Sequence, residues 1–148
     1  MRVSELIRIY IDGASQGNPG PAGIGIALMK NSATQPLQTA HKYIGETTNN
    51  VAEYAALIYA LQEALILGHR AIEVCTDSEL IAKQVRGEYK VREPQLQSYA
   101  DQVQHLRQGF DHFEIRAIPR EQNRLADQLA TEAIESRFDR SLKRATSA

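Results

Sequence analysis

Four acidic residues, each beside an apolar run, are where this chain could do chemistry. They are Asp12 in YIDGASQGNPG, Glu53 in TTNNVAEYAAL, Asp77 in VCTDSEL and Asp127 in NRLADQLA. A charge among apolar residues is costly unless it is paired or binds a metal. Convergent carboxylates suit hard divalent cations with oxygen ligands, and so metal-assisted phosphoryl transfer. Any one of these acids alone reads as a cap or surface charge, and Asp127 in the first turn of a helix is good dipole electrostatics by itself. The set of four points to a reaction, provided the fold brings them together.

The elements that must do so are legible from periodicity. LIRIYIDG alternates up to Asp12 as a first strand, and GASQGNPGPAG follows as a turn-forming stretch. IGIALMK and PLQTAHKYIG read as the second and third strands of an antiparallel meander. Thr48 or Asn49 caps a helix running to about Leu67, with Val51, Ala55, Ile58, Leu61 and Leu65 as its apolar stripe and Gly68 as its stop. AIEVCT is a buried fourth strand, and a short helix runs from Ser78 to about Val85. Pro94 opens a helix to Gln108, FDHFEIRAI is the fifth strand, and Gln122 to about Ser136 a closing helix. The order predicts an α/β fold: a five-stranded mixed sheet, three antiparallel strands then two parallel, flanked by helices. Asp12 and Asp77 then lie at strand ends on adjacent central strands, where open α/β sheets bind ligands.

At 148 residues the chain is one domain, with 43% apolar and 24% charged residues, which argues against disorder. No apolar run approaches the roughly 18 residues of a membrane span, and MRVSELIRIYIDG has no secretory pattern, so a cytoplasmic location is expected. Cys75 reads as a buried strand thiol. The net charge of −1 gives no global sign of nucleic-acid binding, but Lys83, Arg86, Lys90 and Arg92 cluster locally. The expected domain spans 1–137, with a charged tail over 138–148.

DGASQGNPGPAGIG, TTNNVAEYAAL, TDSELIAKQVRGEYKV and PREQNRLADQLA, in this order, resemble the corresponding segments of type 1 ribonucleases H and together cover nearly the whole chain. The resemblance implies the ribonuclease H-like fold and hydrolysis of the RNA strand of an RNA/DNA hybrid, leaving 5′-phosphate and 3′-hydroxyl ends. It implies two magnesium ions (Mg2+, with manganese, Mn2+, a plausible substitute) held by Asp12, Glu53, Asp77 and Asp127. Asn18, Asn49 and Asn50 resemble the family's minor-groove contacts, and the 2′-hydroxyl there is what marks a strand as RNA. Thr48 and the amides beside it resemble a pocket for a DNA-strand phosphate.

The chain also departs from the family's better-known branch. Many members carry a histidine in the loop before the last helix; His41, His69, His105 and His112 all lie elsewhere. Arg120, meeting phosphate, or Glu121, approaching the second metal, could take its place, and a salt-bridged turn is the plainer alternative. The stretch from Gly87 to Pro94 is too short for the basic protrusion of some relatives, so hybrid contact should lean on Lys90 and its basic neighbours. Glu93 stands where relatives often carry an amide near the phosphate pocket. A short form is expected, with no separate N-terminal hybrid-binding module, no obligate protein partner and a monomeric state. A non-catalytic hybrid-binding module and a branched-DNA nuclease or strand transferase of the same superfamily are the competing readings. Retention of all four acids counts against the first, and the TTNN and GNPG elements against the second.

Overall fold

Strict alternation in LIRIYI puts Ile7, Ile9 and Ile11 on one side of the first strand, β1 (Leu6–Ser15), where all three are buried. Burying each side chain of that kind contributes about 1.5–3 kcal/mol. The structure, a computed structural model, describes residues 5–30 and 33–137. Residues 1–4 and 31–32 of the expected domain, and the whole 138–148 tail, lie outside the described residues.

β1 is followed by β2 (Gly20–Lys30), β3 (Gln38–Thr47), α1 (Asn49–Ile66), β4 (Ala71–Thr76), α2 (Glu79–Val85), α3 (Pro94–Arg107), β5 (His112–Ala117), a 3-10 turn (Arg120–Gln122) and α4 (Arg124–Glu135). The sheet order is β3-β2-β1-β4-β5, with β1, β2 and β3 antiparallel and β1, β4 and β5 parallel. This is the expected mixed sheet, and β1 and β4 are adjacent as expected. No described helix is long and apolar enough to cross a membrane.

Four local expectations shift. The glycine-rich stretch after Asp12 is mostly strand: β1 runs on to Ser15 and β2 starts at Gly20, so Gln16–Pro19 alone makes the turn. Its composition reads as a turn throughout because two purposes share one residue type: Gly17, at a φ of 93°, serves the bend, whereas Gly13 and Gly23 let helix backbone approach the strands. α1 is buried over a wider face than one stripe, because it lies between the sheet and α3; Ala52, Ala56, Ala60 and Ala64 form a buried ridge, while Ala55 and Leu65 are half-buried. β5 is shorter than expected at both ends, since its ladder with β4 runs only from His112, opposite Ala71, to Ala117, opposite Thr76. The closing helix starts at Arg124 rather than Gln122, after the 3-10 turn.

Helices cover both faces. α1 lies on the isoleucine face of β1, with Tyr54, Leu57 and Leu61 fully buried there. α4 lies on the opposite face, over β2, with Ala126, Ala130 and Ala133 buried. Cys75 is fully buried, as expected of a strand thiol.

Candidate active site

Asp12 lies on β1 just past Tyr10, the last residue of β1 in parallel register with β4. Its cross-strand partner on β2 is Gly25. A Cβ at Gly25 would lie 2.3 Å from the Ala126 carbonyl oxygen, so the backbone of α4 presses directly on the sheet beside Asp12. The next residue of that helix is Asp127. On the other face, a Cβ at Gly13 would lie 2.2 Å from the Ala52 carbonyl group, so α1 touches β1 equally closely. The next residue of α1 is Glu53. Two glycines, one beside Asp12 in the chain and one beside it across the sheet, thus let two helices deliver acids to the same point.

Glu53 is buried, 6% exposed. Its Oε1 accepts from the Gly13 amide at 2.6 Å and its Oε2 from the Thr76 hydroxyl at 3.1 Å. Thr76, the last residue of β4, is itself held because its Oγ1 accepts the Ser78 amide at 3.1 Å. Asp77 follows, half-buried, before Ser78 caps α2 by accepting from the Ile81 amide. Asp77 Oδ2 accepts from Asn123 Nδ2 at 3.3 Å.

Carboxylate oxygens of Asp12, Glu53 and Asp77 lie within 4.8 Å of one another. The cost of this crowding is visible in the acids. Burial above all, then the charge of Glu53, pushes the Asp12 carboxyl far up from its ordinary value; Asp77 and Asp127 add to the effect. Burial also raises Glu53, while the Gly13 amide, Asp12 and Thr76 pull it back in part. Like charges in a dry pocket cannot all ionise at neutral pH without a cation to share.

Asp127 stands on the first turn of α4, close enough to Asp12 to raise it, but outside the tight set of three. Arg120 Nη2 is 3.9 Å from Asp127 Oδ1, an exposed and loose contact, and Glu121 is exposed on the 3-10 turn. That ion pair is what the plainer alternative, a salt-bridged turn, describes, and it leaves the phosphate and metal readings of Arg120 and Glu121 as they stood.

The polar residues expected to touch nucleic acid gather around the start of α1. Thr48 caps the helix, accepting from the Val51 amide at 3.3 Å. Asn18 Oδ1 accepts from the Asn49 amide at 3.0 Å, and Asn49 Oδ1 accepts from the Ser15 amide and hydroxyl, each at 2.9 Å. The β1–β2 turn and the helix start are therefore laced together by asparagine carbonyls, which leaves the amide ends as the outward donors. Asn50 is half-buried on the same turn of helix. Lys90 lies apart from this group, exposed on the segment between α2 and α3. Its basic neighbours are less free than the sequence implies. Arg86 donates to the Ile115 carbonyl at 3.0 Å and pairs with Glu88, and Lys83 lies over the Tyr89 ring, 5.0 Å from its centre. None of the four histidines joins the acidic cluster: His41, His105 and His112 are exposed and His69 half-buried.

Three residues of the site carry no obvious mark in the sequence: Thr76, Gly25 and Asn123. Asn123 is the clearest case, a buried polar residue at the head of α4 whose side chain does not cap that helix. The one hint was positional, Thr76 directly before Asp77 and Asn123 one helical turn before Asp127.

Buried, mutually repelling oxygen donors supported by neutral hydrogen bonds fit a hard divalent cation such as magnesium or manganese, and fit poorly with softer metals that prefer nitrogen or sulfur. The comparisons agree with the geometry. A family model described as reverse transcriptase-like matches residues 10–133. A ribonuclease HI of Halobacterium salinarum is 40% identical over 87% of this chain and 64% of its own length. The crystal structure of RNase H1 from that organism superposes with a TM-score of 0.86, covering 88% of this chain and 98% of that one. A bifunctional protein of Mycobacterium tuberculosis is 39% identical over 86% of this chain, which spans 35% of it. LC11-RNase H1, isolated from compost and solved in complex with an RNA/DNA hybrid, is 43% identical with a TM-score of 0.84, covering 89% of this chain and 99% of that one. The chain thus spans under two thirds of the length of these curated relatives while matching nearly the whole of the solved domains.

Proposed function

The chain belongs to the type 1 ribonuclease H family, and from that premise we propose that it is an endonuclease that hydrolyses the RNA strand of RNA/DNA hybrids, leaving 5′-phosphate and 3′-hydroxyl ends. The observation that carries the reading is the trio Asp12, Glu53 and Asp77, with oxygens within 4.8 Å and Asp127 one contact away.

Asp12, Glu53 and Asp77 would hold one divalent cation, and Asp12 with Asp127 a second; magnesium is the expected ion. Such a pair supplies an activated water and stabilises the leaving oxygen. The protein's own part is positional. The Gly13 amide and Thr76 hydroxyl fix both oxygens of Glu53, so its carboxylate cannot rotate away when the pocket takes up charge. Preorganised groups of this kind cost no reorganisation at the moment of reaction.

Substrate choice is assigned to the laced start of α1. Asn18 and Asn49 spend their carbonyls internally, so each offers an amide donor to acceptors in a shallow minor groove, where a 2′-hydroxyl can accept. Thr48 and the first amides of α1 would meet a DNA-strand phosphate, and Lys90 the backbone further along. Arg120 is assigned to a phosphate near Asp127, with Glu121 the lesser candidate. Residues 1–137 form the catalytic unit of this proposal and 138–148 a charged tail; it acts as a cytoplasmic monomer.

The test is cleavage of a labelled RNA/DNA hybrid beside duplex RNA, duplex DNA and branched DNA, with and without magnesium or manganese. Metal-dependent cutting of the hybrid's RNA strand, lost in Asp12→Asn, is the expected outcome. A folded protein that binds hybrid without cutting it would instead be a binding module.

A further inference from the structure

Asn123 is the best kind of residue to begin a helix, because its side chain can accept from the amides of the first turn. Here it does not: α4 has no side-chain cap, and the Asn123 amide is turned inward and only 1% exposed. Nδ2 donates to the Ile11 carbonyl at 2.8 Å and to Asp77 Oδ2 at 3.3 Å. Flipping the amide would set its oxygen against a carbonyl and a carboxylate, so this orientation follows from the partners. The main chain completes the link, since the Asn123 carbonyl accepts the Asp127 amide at 3.1 Å. One residue therefore touches the strand bond beside Asp12, the carboxylate of Asp77 and the backbone of Asp127. Its Oδ1 is buried without a hydrogen-bond partner among the described residues.

We propose that Asn123 is a positioning residue of the acidic centre: through Nδ2 it orients Asp77 and ties it to the strand bond beside Asp12, and through its carbonyl it holds the turn that bears Asp127. This rests on the metal-dependent reading above. It follows that Asn123 acts on cation affinity through Asp77, and on turnover more than on hybrid binding.

The experiment is calorimetric titration of manganese into wild type, Asn123→Ala, Asn123→Ser, Asp77→Asn and the Asn123→Ala/Asp77→Asn double variant. Hybrid cleavage is measured alongside, with kcat and KM resolved. Outer contacts to metal ligands typically contribute 10- to 100-fold in affinity or activity. Asn123→Ala is expected to weaken manganese binding about tenfold and lower kcat with KM unchanged. Adding it to Asp77→Asn should cost little more. Asn123→Ser keeps a neutral polar side chain, so it serves if the alanine variant does not fold; too short to bridge Ile11 and Asp77, it should also lose affinity. Wild type that binds no manganese would overturn the metal reading itself. Wild-type binding with folded Asn123 variants within twofold of it in affinity and kcat would overturn this inference alone, leaving Asn123 a packing residue.

Discussion

Glu53 and Glu73 are the same side chain in two treatments, one on each side of the sheet's central strands. Glu73, on β4, is 13% exposed and its Oε1 accepts from Arg8 at 2.7 Å and Arg116 at 3.1 Å, two guanidiniums reaching from the strands on either side. Burial pushes this carboxyl up, but the hydrogen bonds and charges of the two arginines outweigh it and hold the group below its ordinary value. Glu53 is buried more deeply, has neutral donors, faces other acids and is pushed up. An acid whose countercharge is supplied by its own chain is finished at folding. An acid crowded by like charges is strained until something else brings the countercharge, and that is how a structural carboxylate differs from one kept for a task.

The largest effect should come from taking charge out of the strained set. Asp77→Asn is expected to lower hybrid turnover by two orders of magnitude or more while raising the thermal midpoint of the metal-free protein; cleavage assays and calorimetry read the two halves separately. Equal turnover would end the distinction drawn between the two glutamates. Next is the seat of α1: in Gly13→Ala the added methyl meets Ala52 backbone that cannot yield, and about 3 kcal/mol or more of stability should be lost in chemical denaturation, together with activity.

The pH dependence should divide the two sites. Asp12 and Glu53 are raised, so their contribution is fully present below the unfolded carboxylate range near pH 4 and is lost as pH climbs through their folded values. Glu73 is lowered, so its contribution is present above that range and lost as pH falls through its folded value. Metal-free stability should therefore decline above about pH 4 by up to about 1.4 kcal/mol per pH unit for each proton released. Saturating magnesium should flatten this limb and leave the acid limb alone. A metal-free curve level between pH 5 and 9 would contradict the strain. The smallest effect belongs to Glu73→Gln. It should cost about 1 kcal/mol, since both arginines are partly solvated, and leave turnover within twofold; loss of activity there would mean that the two clusters are coupled.

What the sequence could show divides along the same line. Alternation placed β1 and apolar runs placed β2 and β4, a three-to-four spacing placed α1 although it missed the second buried side against α3, and Thr48 marked the helix start because its cap is local. The acids were visible because a charge beside apolar residues is conspicuous on its own. Thr76 and Asn123 were not, since an uncharged side chain takes its meaning from partners such as Glu53 and Ile11 that are far away in the chain. The stretch after Asp12 misled for a similar reason. Gly13 and Gly23 meet helix backbone across the packing, and nothing in their neighbours distinguishes that need from a turn's. Arg86 was read from its charge alone, whereas its geometry commits it to a carbonyl on β5.

That commitment has a consequence for solubility. β5 is the outer strand on its side of the sheet, and an outer strand offers a row of backbone groups on which a second chain could template itself. The Arg86 guanidinium occupies the Ile115 carbonyl in the middle of that row and brings a charge with it. A strand arriving from another molecule would have to displace both, so a residue that looks like a nucleic-acid contact also guards the sheet against growing by one more strand.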